Sequence, residues 1–251
     1  KVQSINKQTH LSIFLKAKAL EQKGKKIIHM EVGEPDFLPP PIVKDALTEV
    51  YDKGFLKYGQ AKGIPAFREK LASYVSEKFN TSVTQDNIII SPGARFSIYT
   101  AITTLLNPGD EMIIIEPAWP AYKDCALNSG IKVRVINTTL EAKWEPSIEQ
   151  INNTINSNTK MIVLNYPNNP TGKILPEKLQ DKIIEIARKN KIYVLSDEIY
   201  SQYVKTNWKS ILNYNYEKSI ITQSFSKSHA MTGFRIGYTI ADSKIIEKMA
   251  K

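Results

Sequence analysis

Fifteen residues late in this 251-residue chain, from Ser224 to Tyr238, read "SFSKSHAMTGFRIGY". They set one amine, Lys227, among small hydroxylated residues, with a guanidinium, Arg235, eight positions on. A lysine at a buried strand end loses affinity for its proton by desolvation. A neighbouring cation pushes the same way, leaving neutral amine that can act as a nucleophile. "SDEIY" (196–200) puts an acid, Asp197, three residues ahead of a phenol, Tyr200, a pair suited to a cationic ring nitrogen and a phenolic oxygen. "NYPNNPTGK" (165–173) places Asn169 in a proline-stiffened amide loop. "SPGAR" (91–95) lies between an apolar run and a helical pattern. Backbone N–H groups at Gly93, Ala94 and Arg95 would there be free to receive a phosphate.

Each segment also has an ordinary structural use. Pro-Gly and Asn-Pro-Thr-Gly make turns, and Ser196 or Asp197 makes a helix cap. Lys227 can be a solvated lysine and Arg235 half of a surface ion pair. Their joint occurrence at strand ends, in order, favours the chemical reading. Together they describe a ligand with a phosphate, a ring nitrogen, a phenolic oxygen and an aldehyde, which is pyridoxal 5′-phosphate.

The elements that must position these residues are short apolar runs alternating with helical patterns. Strands are expected at 88–90, 112–115, 132–135, 161–164, 192–195, 219–222 and 238–240. Helices are expected at 64–79, 96–106, 177–190 and 243–251, the last running uncapped to Lys251. Such alternation is the mark of βαβ units, so the fold class is α/β, a mainly parallel sheet sandwiched by helices. In such sheets ligands bind beyond the carboxyl ends of the strands, where these motifs fall. The proline-rich "EPDFLPPP" (34–41) separates an N-terminal arm, residues 1–38, from a large cofactor-binding domain, residues 39–251.

Composition narrows the class. The chain is 42% hydrophobic and 24% charged, with a net charge of +9. The basic excess is mostly lysine scattered along helices, without an aromatic-interleaved stripe, so it reads as a solvated surface and not a nucleic-acid face. One cysteine, Cys125, permits neither an internal disulfide nor a Cys-based metal cage, which fits a reducing, cytoplasmic setting. The apolar runs are too short to span a membrane.

In "VGEPDF", "YGQAKGIPAFREKLA", "NYPNNPTG", "SDEIY" and "SKSHAMTGFRIGY" the chain resembles the class I/II aminotransferases of fold type I, nearest the aspartate aminotransferase group. The resemblance covers the whole chain. It implies that Lys227 is the Schiff-base lysine and that Asp197 pairs with the pyridinium nitrogen. Tyr200 and Asn169 would bond the phenolic oxygen, and Trp119 in "EPAWPAY" would stack on the ring. Arg235, Ser224 and the backbone at Gly93, Ala94 and Arg95 would hold the phosphate, with Ser226 a weaker candidate. Tyr58 would reach the cofactor of a neighbouring subunit, which implies a homodimer. Gly33, with Trp119 and Asn169, would line the substrate pocket. The implied reaction is ping-pong transfer of an α-amino group from an L-amino acid, aspartate foremost, to a 2-oxoacid such as 2-oxoglutarate. The same cofactor residues would serve a carbon–sulfur lyase or an aminocyclopropane-carboxylate synthase-like eliminase, and a non-catalytic cofactor-binding protein is a third reading. Relatives continue into a C-terminal small domain bearing the arginine that clamps the substrate carboxylate. No residue here takes that role, so the sequence reads as a piece of a longer protein.

Overall fold

The apolar runs pair into one sheet of seven strands: β1 (Ile88–Ser91), β2 (Glu111–Glu116), β3 (Lys132–Asn137), β4 (Thr159–Leu164), β5 (Tyr193–Asp197), β6 (Ser219–Ser224) and β7 (Gly237–Ala241). The computed structural model describes residues 9–205 and 208–251, so residues 1–8 of the expected N-terminal segment lie outside the described residues. Strand order is β1-β7-β6-β5-β4-β2-β3. Every pairing is parallel except those of β7, which runs antiparallel to both β1 and β6. Six strands therefore share one direction and β7 alone is reversed. The reversal matters for the site: it brings the start of β7 to the edge where the other strands end, with Gly237 opposite both Ser91 and Ser224.

Strands buried on both faces need apolar residues at successive positions, and Met112 to Ile115 are all buried. One face packs under α3 (Pro65–Phe79), α6 (Ile148–Thr154) and α7 (Glu177–Lys189), meeting Ile113, Ile162, Val194 and Ile221. The other packs under α4 (Ala94–Leu105), α5 (Ala121–Asn128) and α9 (Ser243–Met249), meeting Met112, Ile114, Leu195 and Ile220. Full burial of each such side chain contributes about 1.5–3 kcal/mol.

Two boundaries correct the sequence reading. The first helix after β1 starts at Ala94 and not at 96, so the expected phosphate loop is already the first turn of α4. The last helix, expected to run on to Lys251, starts at Ser243 behind the N-cap Asp242, whose carboxylate accepts from Lys244 N. It ends at Met249, with Ala250 as C-cap. The remaining helices are α1 (Thr9–Glu21), α2 (Pro41–Asp52) and the short α8 (Phe225–Ser228). α2 buries none of its residues, and apolar side chains from Ile28 to Ile64 stand exposed along this part of the chain.

Candidate active site

β5 delivers Asp197 at its last position, where the carboxyl is buried at 3% exposure. Tyr122 of α5, itself fully buried, donates its hydroxyl to Asp197 Oδ2 at 2.6 Å, and Ile199 N donates to Oδ1 at 3.3 Å. Burial raises the proton affinity of Asp197, opposed first by the Tyr122 bond and then by that of Ile199. Such a carboxyl becomes an anion most readily when a cation arrives beside it. Tyr122 is a site residue the sequence reading passed over, although it stands in the quoted "EPAWPAY". Its signal was the three-residue spacing from Trp119, which puts both rings on one side of a helical turn. The rings meet edge to face at 5.5 Å.

The amide loop is anchored to the same place. Asn165 Nδ2 donates to the Asp197 carbonyl at 3.1 Å, while Asn165 Oδ1 accepts from Asn169 N at 2.9 Å. That leaves Asn169 Nδ2 3.3 Å from the Tyr200 hydroxyl, to which it donates. The expected pair for a phenolic oxygen therefore stands together, half-buried. Burial, and then the charge of Asp197, raise the Tyr200 phenol, while Asn169 lowers it.

Lys227 lies on α8, just beyond β6, and is half-buried. Burial lowers its proton affinity, Arg235 adds to the effect, and Glu34 opposes it. Its Nζ donates to the carbonyl of Gly33, so the N-terminal arm reaches the amine, and Thr232 Oγ1 bonds Glu34 Oε1 at 2.6 Å beside it. Tyr203 donates to the Lys227 carbonyl at 2.7 Å.

Arg235 has φ +56° and donates to the carbonyls of Thr232 at 2.8 Å and Pro92 at 3.5 Å. No carboxylate among the described residues forms an ion pair with it. Its guanidinium lies against Gly93, where φ is +88° and an added Cβ would sit 2.4 Å from Arg235 Nη2. Gly237 fits as closely from the other side, since a Cβ there would meet Ala94 N at 2.7 Å. An exposed cation lacking an acidic partner, beside the unpaired first amides of α4, is a built receptor for an anion of phosphate shape. Arg95 extends over the Trp119 ring at 4.7 Å from its centroid.

Two expected residues stand differently. Ser224 is a buried N-cap whose Oγ accepts from Ser226 N at 3.0 Å and lies 3.0 Å from the Ile236 carbonyl oxygen, so its hydroxyl is already engaged. Tyr58, on the loop before α3, is fully exposed and stands apart from the other candidates. The rest converge on one sheet edge: Lys227, Asp197, Tyr200, Asn169, Trp119, Arg235, Gly33 and the 93–95 turn. The donor set suits pyridoxal 5′-phosphate group by group, and the Gly93 cradle leaves the room that a side chain would fill.

A family model for aminotransferase class I and II matches residues 25–251. An aspartate aminotransferase of Thermotoga maritima is 35% identical over 240 residues, 94% of this chain and 63% of that protein. A (5-formylfuran-3-yl)methyl phosphate transaminase of Methanocaldococcus jannaschii is 36% identical over 96% of this chain and 63% of its own length. The crystal structure of the Thermotoga aspartate aminotransferase superposes with a TM-score of 0.95 at 33% identity, covering 99% of this chain and 67% of that one. The Thermus thermophilus aspartate aminotransferase with maleate gives 0.95 at 31% identity over 99% and 65%. This chain spans about three fifths of the length of the first curated relatives it matches. The chain belongs to the class I and II aminotransferase family.

Proposed function

We propose that this chain serves pyridoxal 5′-phosphate-dependent transfer of an α-amino group from an L-amino acid, aspartate foremost, to a 2-oxoacid such as 2-oxoglutarate. The observation that carries the reading is the half-buried Lys227 amine, with lowered proton affinity, on the same sheet edge as the buried Asp197 carboxyl. Held through its aldehyde by that amine, the cofactor would supply an electron-accepting ring that stabilises negative charge at the substrate α-carbon.

Asp197, its carboxylate oriented by the Tyr122 hydroxyl on Oδ2, would keep the ring nitrogen protonated. Tyr200 and Asn169 bond the phenolic oxygen, while Trp119 covers one ring face. Arg235 and the amides of Ala94 and Arg95 bind the phosphate, with Gly93 keeping the space open. With its proton affinity lowered by burial, Lys227 Nζ would serve as the base that takes the proton from the substrate α-carbon, a general-base role at close range. The two halves alternate in ping-pong order: the donor leaves as a 2-oxoacid before the acceptor 2-oxoacid enters. The N-terminal segment up to residue 38 serves as an arm that meets the cofactor domain, residues 39–251, through Gly33 and Glu34. The exposed Tyr58 and the apolar side chains around α2 support assembly as a homodimer with shared sites.

The test is an amino-donor screen on the protein from its complete gene, with and without 2-oxoglutarate, alongside Lys227→Ala. Turnover should require the 2-oxoacid and vanish in the variant. Ammonia release without an acceptor would turn the assignment to a lyase, and wild-type turnover by Lys227→Ala would overturn the role of the amine.

A further inference from the structure

Glu198, between Asp197 and Tyr200, takes no part in the chemistry above, yet it is 0% exposed. Successive residues of a strand point to opposite faces. Asp197 therefore turns toward Tyr122, and Glu198 toward the face where Ser196 and Ile211 lie. There three donors converge on its carboxylate. Ser196 Oγ reaches Oε1 at 3.0 Å, Ile211 N reaches Oε1 at 2.9 Å, and Ser210 Oγ reaches Oε2 at 2.7 Å.

A buried carboxylate costs free energy unless its lone pairs are filled, and here the donors come from both ends of one excursion of the chain. The chain leaves the sheet after β5 at Glu198 and is back beside it at the short 3₁₀ turn Ile211–Tyr214, with residues 206 and 207 outside the described residues. Glu198 ties departure to return. The backbone secures the first step: Glu198 N continues the ladder to the Thr222 carbonyl at 3.0 Å, and Ser201 N bonds the Glu198 carbonyl at 2.9 Å. Between those two bonds stands Tyr200, whose hydroxyl meets Asn169. The same excursion sends Ser201 to Gln223 and Tyr203 to the Lys227 carbonyl.

We propose that Glu198 is a positioning residue that acts through Tyr200: by fastening the two ends of the 198–211 excursion, its carboxylate sets where the phenol stands relative to Asn169. The inference rests on the cofactor reading above, because the phenol matters as a partner of the cofactor's phenolic oxygen. The balance at Glu198 is fine enough to matter. Burial lifts its carboxyl to about 7, opposed by Ser210, Ile211 and Ser196 and assisted by the charge of Asp197, and Tyr238 of β7 is the other titratable group that feels it.

A double-mutant cycle separates positioning from general support of the fold. Glu198→Gln and Tyr200→Phe are made singly and together in the protein from its complete gene and loaded with pyridoxal 5′-phosphate. The pH midpoint of the cofactor absorbance band and the cofactor dissociation constant are then measured. Each single variant should move the midpoint by about half a unit or more and weaken cofactor binding about threefold to tenfold. The double variant should match Tyr200→Phe alone. If Glu198→Gln does not fold, Ser210→Ala, which keeps the charge and removes one donor, should show the same non-additivity at smaller amplitude. An absent shift in either single variant, or shifts that add in full, would overturn the proposal while leaving the cofactor reading intact. A wild-type protein that takes up no pyridoxal 5′-phosphate would overturn both.

Discussion

Asp197 and Glu198 are adjacent carboxyls, both buried, and the contacts around them make them behave as different groups. Asp197 takes the Tyr122 hydroxyl on Oδ2 at 2.6 Å and Ile199 N on Oδ1 only at a long 3.3 Å, whereas Glu198 is held by three donors at 2.7–3.0 Å. Tyr122→Phe should therefore raise the proton affinity of Asp197 further and cost about 1–3 kcal/mol, read as a lower urea midpoint. An unchanged midpoint would mean that the 2.6 Å bond contributes nothing net. At Glu198 the folded-state affinity is raised, from 4.5 to about 7. Its stabilising contribution is then full below about 4.5 and lost as pH rises through about 7, a span worth at most about 3 kcal/mol. The melting temperature of the wild type should fall more steeply between pH 5 and 8 than that of Glu198→Gln. Equal slopes would contradict the assignment. The acid–phenol spacing of "SDEIY" was legible in the sequence, but the division of labour was not, since it depends on Tyr122 and Ser210, 75 and 12 residues away from their partners.

The elements position the site through a junction between β1, α4 and β7. The central strands β2 and β4 were readable as apolar runs because strands buried on both faces favour apolar residues at successive positions, while edge strand β3 showed instead the alternation of Val133 and Val135 with charged neighbours. Every strand begins and ends within two residues of its expectation, and β3, β5 and β6 run two residues further at the carboxyl end, where polar residues such as Asn137, Asp197 and Ser224 still pair. Sheet order and the reversal of β7 were not readable, because pairing is decided by partners distant in the chain. α2 was not among the expected helices although Ile42, Val43, Ala46, Leu47 and Val50 recur at helical spacing, and none of its residues is buried in the core. The junction is tightest at Gly237, where a Cβ would meet Ala94 N at 2.7 Å and Gly93 C at 2.7 Å, both backbone atoms that cannot turn aside. Gly237→Ala should cost about 1–3 kcal/mol and weaken phosphate binding by displacing the α4 amides. Gly93→Ala adds strain at φ +88° and pushes on the Arg235 guanidinium, a more yielding neighbour. Its effect should fall more on cofactor affinity than on stability. Denaturant midpoints and cofactor dissociation constants measured on both variants check the ordering, and the reverse ordering would contradict it.

Over the whole molecule, one reversed strand in a sheet of seven gathers residues from position 33 to position 235 at a single edge. The arm closes on the amine through Gly33 and Glu34, the strands bring the acid and the amide loop, and the β7 start brings the guanidinium. The family was legible because its motifs stand together in the sequence, most of them at strand ends. Substrate choice was not, because no residue of this chain answers to the carboxylate clamp that the resemblance implies. The expectation of Tyr58 in a partner's site is likewise a matter of assembly, which a single chain with Tyr58 exposed does not address. The most direct test of the account is borohydride reduction of the pyridoxal 5′-phosphate-loaded protein, followed by digestion and peptide mass spectrometry. The account predicts the pyridoxyl group fixed on Lys227 Nζ and on no other lysine, whereas an unmodified Lys227 with the label elsewhere would contradict it.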